Sequence, residues 1–294
     1  MRGPVAWFRD PWRKPRVLMF ATWGYLLWSL IPVAFAIVIG FTGGRSSASL
    51  NGLSLQYWYG APQGDPQGSV FTDPSLHSAI YQTIWLSTVT MLLTVPLGVA
   101  FAIALDRWRG RPASSANFLM LVSFVVPEII IGVALYLFFT YVFTTFRTLG
   151  TTPQIIGLTA FQISYPVIVV RARLLSITPD YEEAAMDLGA PPRQAIRRVL
   201  LPLLYPAIFA SFALVFADVV DDFVTVRYLS SNGSETLSTK IYESLHGSPS
   251  PEYNAAATLL LGITIVGGLL IYLVYRRINK GRDTGGAMGL ATSI

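Results

Sequence analysis

Long runs of apolar residues, separated by shorter polar segments, dominate the pattern along this chain. A helix needs about 20 apolar residues to cross a bilayer, and prolines or glycines such as Pro96 and Gly98 do not argue against a crossing, because membrane helices tolerate both. The candidate runs cover residues 18–41, 79–105, 116–142, 154–170, 203–224 and 255–275. The pattern therefore predicts an all-α polytopic membrane protein with six transmembrane helices.

The first run differs from a secretory signal. Its 24 apolar or uncharged positions, 18–41, exceed the roughly 7–15 residues of a signal core. No small-x-small cleavage pattern comes before Gly43. We therefore expect this segment to be a retained transmembrane helix.

Composition supports a membrane protein. Only 13% of the residues are charged, about half the usual share in soluble domains, and the mean hydropathy is +0.53. The chain has no cysteine. These values exclude a disordered chain, a disulfide-stapled secreted module and a metal site built from thiolates.

The basic residues indicate the orientation. With the N-terminus placed in the cytoplasm, 17 of the 21 lysines and arginines fall on the cytoplasmic side of six spans. Such a bias is the usual signature of the cytoplasmic face. We therefore expect a multi-pass protein of a bacterial plasma membrane with both termini in the cytoplasm. The net charge of +5 reflects this topology and contact with membrane lipid, and we expect no nucleic-acid partner.

The same pattern divides the chain into regions. We expect a cytoplasmic segment over 1–17, the first helix over 18–41 and an external loop over 42–78. A core with five further helices follows over 79–277, and 278–294 forms a cytoplasmic tail.

The loop between the fourth and fifth runs, 171–202, has a clear helical pattern. Thr178 is a good N-cap, and Pro179 suits the first helical position. Gly189 suits the left-handed residue after a helix. A second short helix is predicted over 193–201 and limited by Pro202. The loop therefore reads as helix, glycine turn and helix.

This loop also carries a specific motif. Glu183, Ala184 and Ala185 are followed after three residues by Gly189, and nine residues later by a segment that ends in Pro202. The spacing resembles the "EAA" loop of ABC importer permeases, with valine at 199 where the family pattern has isoleucine. Within that family, the segments 125–131, 221–224 and 250–258 resemble the second permease subunit of spermidine/putrescine importers.

The resemblance implies a function. The first loop helix would be the coupling helix, which docks on an ATP-hydrolysing subunit through Glu183. Ala184 and Ala185 would keep its surface small, and Gly189 would allow the turn. The implied partners are a second permease subunit, two ATP-binding subunits and an extracytoplasmic solute-binding protein. ATP and magnesium would be used by the ATP-binding subunits, because this chain has no phosphate-loop motif. We therefore expect a transporter subunit that is not an enzyme and binds no cofactor.

Four acids lie inside the apolar runs, and no lysine or arginine lies there with them. They are Glu128, Asp218, Asp221 and Asp222. An acid at the centre of a membrane helix costs about 2.5–3.5 kcal/mol on insertion scales, so such groups usually serve a function. The spacing of the three aspartates places them on one face of a continuous helix. We expect these acids to line a path for a cationic solute, with a polyamine as the preferred cargo.

Aromatic residues in the runs complete this hypothesis. Trp85, Tyr136 and Tyr165 are candidates for cation–π contacts with ammonium groups. The competing interpretation is that the acids bond to backbone or hydroxyl groups at helix breaks, or meet bases of a partner permease. His77 and His246 are far apart in the sequence, and we expect them to be surface residues of outer loops.

Three alternative functions compete with this one. An ABC permease for another small solute, such as an amino-acid-like cation, a phosphonate or a sugar, shares the loop motif. A stand-alone ion-coupled carrier would use the acids as a relay but has no ATPase to dock. A membrane scaffold without transport leaves the acids unexplained.

Overall fold

The computed structural model describes residues 16–44, 52–60, 69–108, 110–143, 149–247 and 250–279. These residues are almost entirely helical, and one bridge between Thr42 and Leu53 is the sole isolated extended pairing among them. The helices are α1 (Arg16–Ile39), α2 (Gln56–Tyr59), α3 (Pro74–Arg107), α4 (Arg111–Val125), α5 (Glu128–Leu137), α6 (Thr151–Gln162), α7 (Ser164–Leu174), α8 (Asp180–Asp187), α9 (Pro192–Ala195), α10 (Leu201–Asp221), α11 (Val224–Leu229), α12 (Leu237–His246) and α13 (Pro251–Asn279).

Five of the helical segments are long and apolar enough to cross a bilayer. They are Leu18–Ile39, Pro74–Arg107, Thr151–Leu174, Pro192–Asp221 and Pro251–Asn279. A sixth crossing results if the bent pair Ser114–Val125 and Glu128–Val142 counts as one span. The predicted class, an all-α polytopic membrane protein, is thereby confirmed for the described part of the chain.

The third predicted span, 116–142, is not one straight helix. The helix axis bends by 108° between its two halves. Pro127 has no N–H to continue the helix, and its ring disfavours the helical conformation at Val126. Val126 is accordingly extended, with ψ 129°. The bend brings Glu128 to the first turn of a new helix instead of the middle of a continuous one.

Two other runs also differ from the expected boundaries because of prolines. α6 ends at Gln162 and α7 begins at Ser164, and Pro166 is the residue whose missing N–H leaves the Gln162 carbonyl without its helical bond. The expected stop at Pro202 is wrong. A π-helical turn, Ile196–Leu200, passes directly into α10, and Pro202 is accommodated in the first turn of that helix.

The segments that connect the spans are more ordered than expected at one end of the bundle. α3 begins at Pro74, one turn before the predicted run, so His77 lies in a helix and not in a loop. The segment between α10 and α13 contains two short helices, α11 and α12, and His246 is the last residue of α12 and so also lies in a helix. Buried side chains of α2, the start of α3, α12 and the start of α13 form a small apolar cluster there, including Tyr57, Leu76 and Leu237.

The main core lies between α3, α7 and α10. Its fully buried side chains include Leu86 and Val95 of α3, Val167 of α7, and Leu204 and Val215 of α10. α3 approaches α7 especially closely at Gly98, where a Cβ atom would lie 2.3 Å from Cγ of Pro166. A small residue is required at this point, as at many close contacts between membrane helices.

This close contact predicts a stability effect. Gly98→Ala introduces a methyl group against a proline ring that cannot rotate away. We expect a loss of about 1–3 kcal/mol in the free energy of unfolding, measured as a lower thermal unfolding temperature of the purified transporter. Gly268→Ala in α13 is the control, because no atom lies within 4 Å of its Cβ position. Equal unfolding temperatures for the two variants would contradict the predicted contact.

Candidate functional site

The loop between α7 and α10 folds as a short helix, a glycine turn and a second helix, as the sequence indicates. α8 begins at Asp180. The expectation that Thr178 caps it is wrong, because Pro179 occupies the N-cap position and has no side-chain acceptor. At the other end Gly189 has φ +87°, and its N–H donates to the Met186 carbonyl at 2.8 Å. The predicted left-handed glycine is therefore present.

The surface of α8 is open. None of its side chains is buried. Glu183 and Ala184 are exposed, and Ala185 is half-buried. The neighbouring Leu188 is 90% exposed and Tyr181 is 57% exposed. Exposed apolar side chains are typical of interaction surfaces when they form a contiguous patch. Pro202 lies beyond this surface, in the first turn of α10.

One contact of this loop was missed from the sequence. The Arg107 guanidinium at the end of α3 donates to Oε2 of Glu182 in α8 at 2.5 Å. The two residues are 75 positions apart, so no local spacing rule could pair them. A cavity of about 300 Å³ lies beside the pair, and Leu174, Ile177 and Met186 contribute to its walls.

The three aspartates of the fifth span do not lie on one helix face. α10 ends at Asp221, and Asp222 is extended with ψ 106°. Asp222 is only 8% exposed, and its Oδ1 accepts a hydrogen bond from the backbone N–H of Thr225 at 2.9 Å. It therefore caps the first turn of α11. The expected common face is wrong because the helix stops before the third aspartate.

Asp218 and Asp221 have different surroundings. Oδ2 of Asp218 accepts a hydrogen bond from Nε2 of Gln162 at 2.7 Å, and the Tyr165 hydroxyl also bonds to this carboxylate. Asp221 is exposed and lines a cavity of about 560 Å³ between α10, α12 and α13. Phe223 and Tyr242, whose ring centroids are 4.4 Å apart, line the same cavity.

Glu128 completes a group of acids drawn from separate helices. It is the first residue of α5 and is exposed. It lies near enough to Asp218 and Asp222 for the three carboxylates to interact electrostatically. None of the four acids forms an ion pair with a base in the described residues. The structure thus brings negative charge together without a compensating base from these parts of the chain.

Of the three candidate aromatics, Tyr165 is the one placed against an acid. Its hydroxyl contacts Asp218, and its ring packs edge-on against Phe124 at 5.3 Å. Trp85 and Tyr136 lie on the exposed surface of α3 and α5, 48% and 37% exposed. Gln162 and Tyr242 are the polar neighbours that sequence reasoning missed, since neither carries charge nor belongs to a recognised motif. In the described segments, no group of three or more His, Cys, Asp or Glu side chains is arranged to hold a metal ion.

The sequence matches a protein family over most of this bundle. Residues 96–284 match the family described as "Binding-protein-dependent transport system inner membrane component". The putrescine transport system permease protein PotI of Escherichia coli K12 is 27% identical, and the match covers 93% of this chain and 94% of that protein. The spermidine/putrescine transport system permease protein PotC of the same organism is 28% identical, over 90% of this chain and 94% of that protein.

Solved structures share the fold. A bacterial ABC transporter involved in the import of the acidic polysaccharide alginate matches with a TM-score of 0.69 at 18% identity, covering 89% of this chain and 96% of that chain. The MetNI methionine ABC transporter, in an inward-facing conformation, matches with a TM-score of 0.58 at 19% identity, covering 69% and 95%. At these identities the likeness concerns the fold alone.

Because Asp222 accepts a hydrogen bond from Thr225, substitutions at Asp222 can distinguish its role as a helix cap from the effect of its negative charge. Asparagine is as good a capping residue as aspartate, whereas alanine has no acceptor. We expect Asp222→Asn to keep the wild-type thermal unfolding temperature. Asp222→Ala should lose about 1 kcal/mol of stability, in line with other lost caps. An equally large loss in both variants would show that the negative charge, and not the cap, stabilises this turn.

Proposed function

The chain belongs to the family of binding-protein-dependent transport system inner membrane components, and we propose that it carries polyamine cations across the membrane. It is a permease subunit of an ABC importer and not itself an enzyme. The stand-alone ion-coupled carrier is thereby set aside. The observation that carries the polyamine assignment is that Glu128, Asp218 and Asp221, at separate positions, form no ion pair with a base in the described residues.

The physical argument begins with the cost of these charges. A carboxylate inside a membrane protein needs a cation or hydrogen-bond donors to compensate for lost water. Asp218 has two donors, from Gln162 and Tyr165, whereas Glu128 forms no ion pair with a base among the described residues. A chain of ammonium groups supplies the missing positive charge during passage. It is also flexible enough to contact acids on different helices.

The cavity at Asp221 adds a second kind of contact. Its carboxylate stands beside the stacked rings of Phe223 and Tyr242. Ammonium groups bind to aromatic faces with about 0.5–2 kcal/mol, and the methylene spacers of a polyamine pack on the same rings. Two of the similar proteins, PotI and PotC, are named for putrescine and spermidine transport, which supports the same cargo. A permease for another small solute is the alternative, since the fold also occurs in an importer of alginate.

We further propose that α8 is the coupling helix and docks on an ATP-binding partner subunit, where ATP and magnesium would be used. Support comes from its open surface with Glu183, Ala184 and Ala185, and from the turn at Gly189. The full assembly would add a second permease, a second ATP-binding subunit and an extracytoplasmic solute-binding protein. The bias of basic residues supports a cytoplasmic location for α8 and both termini. Residues 1–15 and 280–294 lie outside the described residues.

Neutral substitutions test the cargo. Asp218→Asn and Glu128→Gln each remove a negative charge while keeping the side-chain size, and loss of one charged contact should lower putrescine and spermidine uptake about tenfold. Uptake is measured in proteoliposomes that hold the complete transporter. Glu243→Gln is the control, because Glu243 of α12 already pairs with Arg227 of α11 at 3.3 Å. Full uptake of both amines by both variants would rule out these acids as cargo contacts.

A matched pair of glycines tests the coupling role of the loop. Gly189 and Gly233 have φ +87° and +86°, and neither has an atom within 4 Å of its Cβ position. Gly189→Asp and Gly233→Asp therefore introduce the same backbone strain at opposite ends of the bundle. We expect Gly189→Asp alone to reduce uptake per ATP hydrolysed by a purified transporter. Normal uptake and assembly with Gly189→Asp would contradict the docking of α8.

A further inference from the structure

The contact between α8 and α3 is an ion pair that spans a gap. Arg107 is the last residue of α3, and its guanidinium reaches Glu182 in the first turn of α8. The side chains are 41% and 21% exposed, so both remain partly open to solvent. The adjoining cavity of about 300 Å³ is lined by residues of α3, α7 and α8, and no side chain of α8 is buried. The pair is therefore a principal direct connection between this helix and α3.

We propose that Arg107 is a positioning residue that fastens α8 to α3, so that a displacement of α8 by the ATP-binding subunit moves α3 directly. This inference rests on the proposed docking of α8. Without the pair, motion of α8 reaches the spans through the turns at either end of it and through its packing against the π-helical turn Ile196–Leu200, which leads into α10. One of those turns contains Gly189, and the other covers residues 175–179. A turn transmits displacement less directly than a side-chain contact to the end of a continuous helix.

α3 can carry such a displacement across the bundle. It is one helix of 34 residues, which corresponds to about 51 Å at the usual rise per residue. Near its other end, Nε2 of Gln82 donates to Oε1 of Gln154 at 3.1 Å, and the hydroxyl of Thr83 accepts from the N–H of Leu237 at 2.9 Å. All these groups are buried.

The hydrogen bonds at that end reach the segment that follows the acids. Gln154 is fully buried and donates to the hydroxyl of Ser230 and to the carbonyl of Ser234, each at 3.0 Å. The segment after Asp222 is thus tied to α3 and α6 by side-chain contacts. α3 joins the proposed ATPase contact at one end to the chain beyond the proposed cargo acids at the other.

Charge reversal tests the pair. We expect Arg107→Glu and Glu182→Arg each to lower the amount of putrescine transported per ATP hydrolysed about two- to fivefold, the range expected for a partly exposed ion pair. The double variant restores the attraction with the charges exchanged and should recover the wild-type ratio. Uptake and ATP hydrolysis are measured together on the reconstituted complex. Arg276→Glu, which reverses an exposed charge at the end of α13, is the control.

The outcomes are distinct. A wild-type ratio in both single variants, or a double variant that stays as low as the singles, overturns the proposal. If a reversal prevents assembly, Arg107→Gln and Glu182→Gln remove the attraction without creating repulsion, and the same ratio is measured on them. Gly189→Asp separates this result from the docking proposal. A normal ratio with the Arg107 variants but not with Gly189→Asp rejects the ion pair and leaves the docking of α8 in place.

Discussion

The main constraint on this protein is that the hydrocarbon of a bilayer offers no hydrogen bonds. Every polar group inside the spans must find its partner within the protein or in a water-filled path. The backbone groups left unpaired at each interruption of a helix therefore need hydrogen-bond partners close by. The break at Pro127 is followed by Glu128, the break between α6 and α7 comes directly after Gln162, and the end of α10 is followed by the cap of Asp222 on Thr225. A polar side chain thus accompanies each of these three interruptions.

Close packing then determines which interruptions meet. α3, α7 and α10 form the core, and the approach of α3 to Pro166 at Gly98 holds α7 against α3. This places Gln162 and Tyr165 next to Asp218 of α10. The proposed cargo site therefore depends on a contact between small and rigid residues that themselves carry no polar side chain.

The sequence was sufficient for features that depend on local spacing. Apolar runs predicted the membrane class, and a short motif predicted α8 and the left-handed Gly189. Features that depend on residues far apart in the sequence could not be predicted from it. The end of α10 is fixed by the bonds of Asp222 to Thr225 and Ser238, so counting residues along a helix misplaced this aspartate. Arg107 and Glu182 meet across 75 positions. At Pro202 the sequence predicted a helix end that is absent, because the π-helical turn before it passes directly into α10.

The acids differ in burial and in hydrogen-bond partners, and these differences indicate which kind of cargo they suit. Asp222 is buried and one of its oxygens is engaged by the backbone, so it shapes the turn. Asp218 is oriented by Gln162 and Tyr165 toward the side of α10 that faces α6 and α7, near Glu128. Asp221 faces a separate cavity beside α12 and α13. A cation with one charge needs one such position at a time. Several carboxylates at separate positions suit a solute with several ammonium groups, because successive charges can leave one acid while others remain bound.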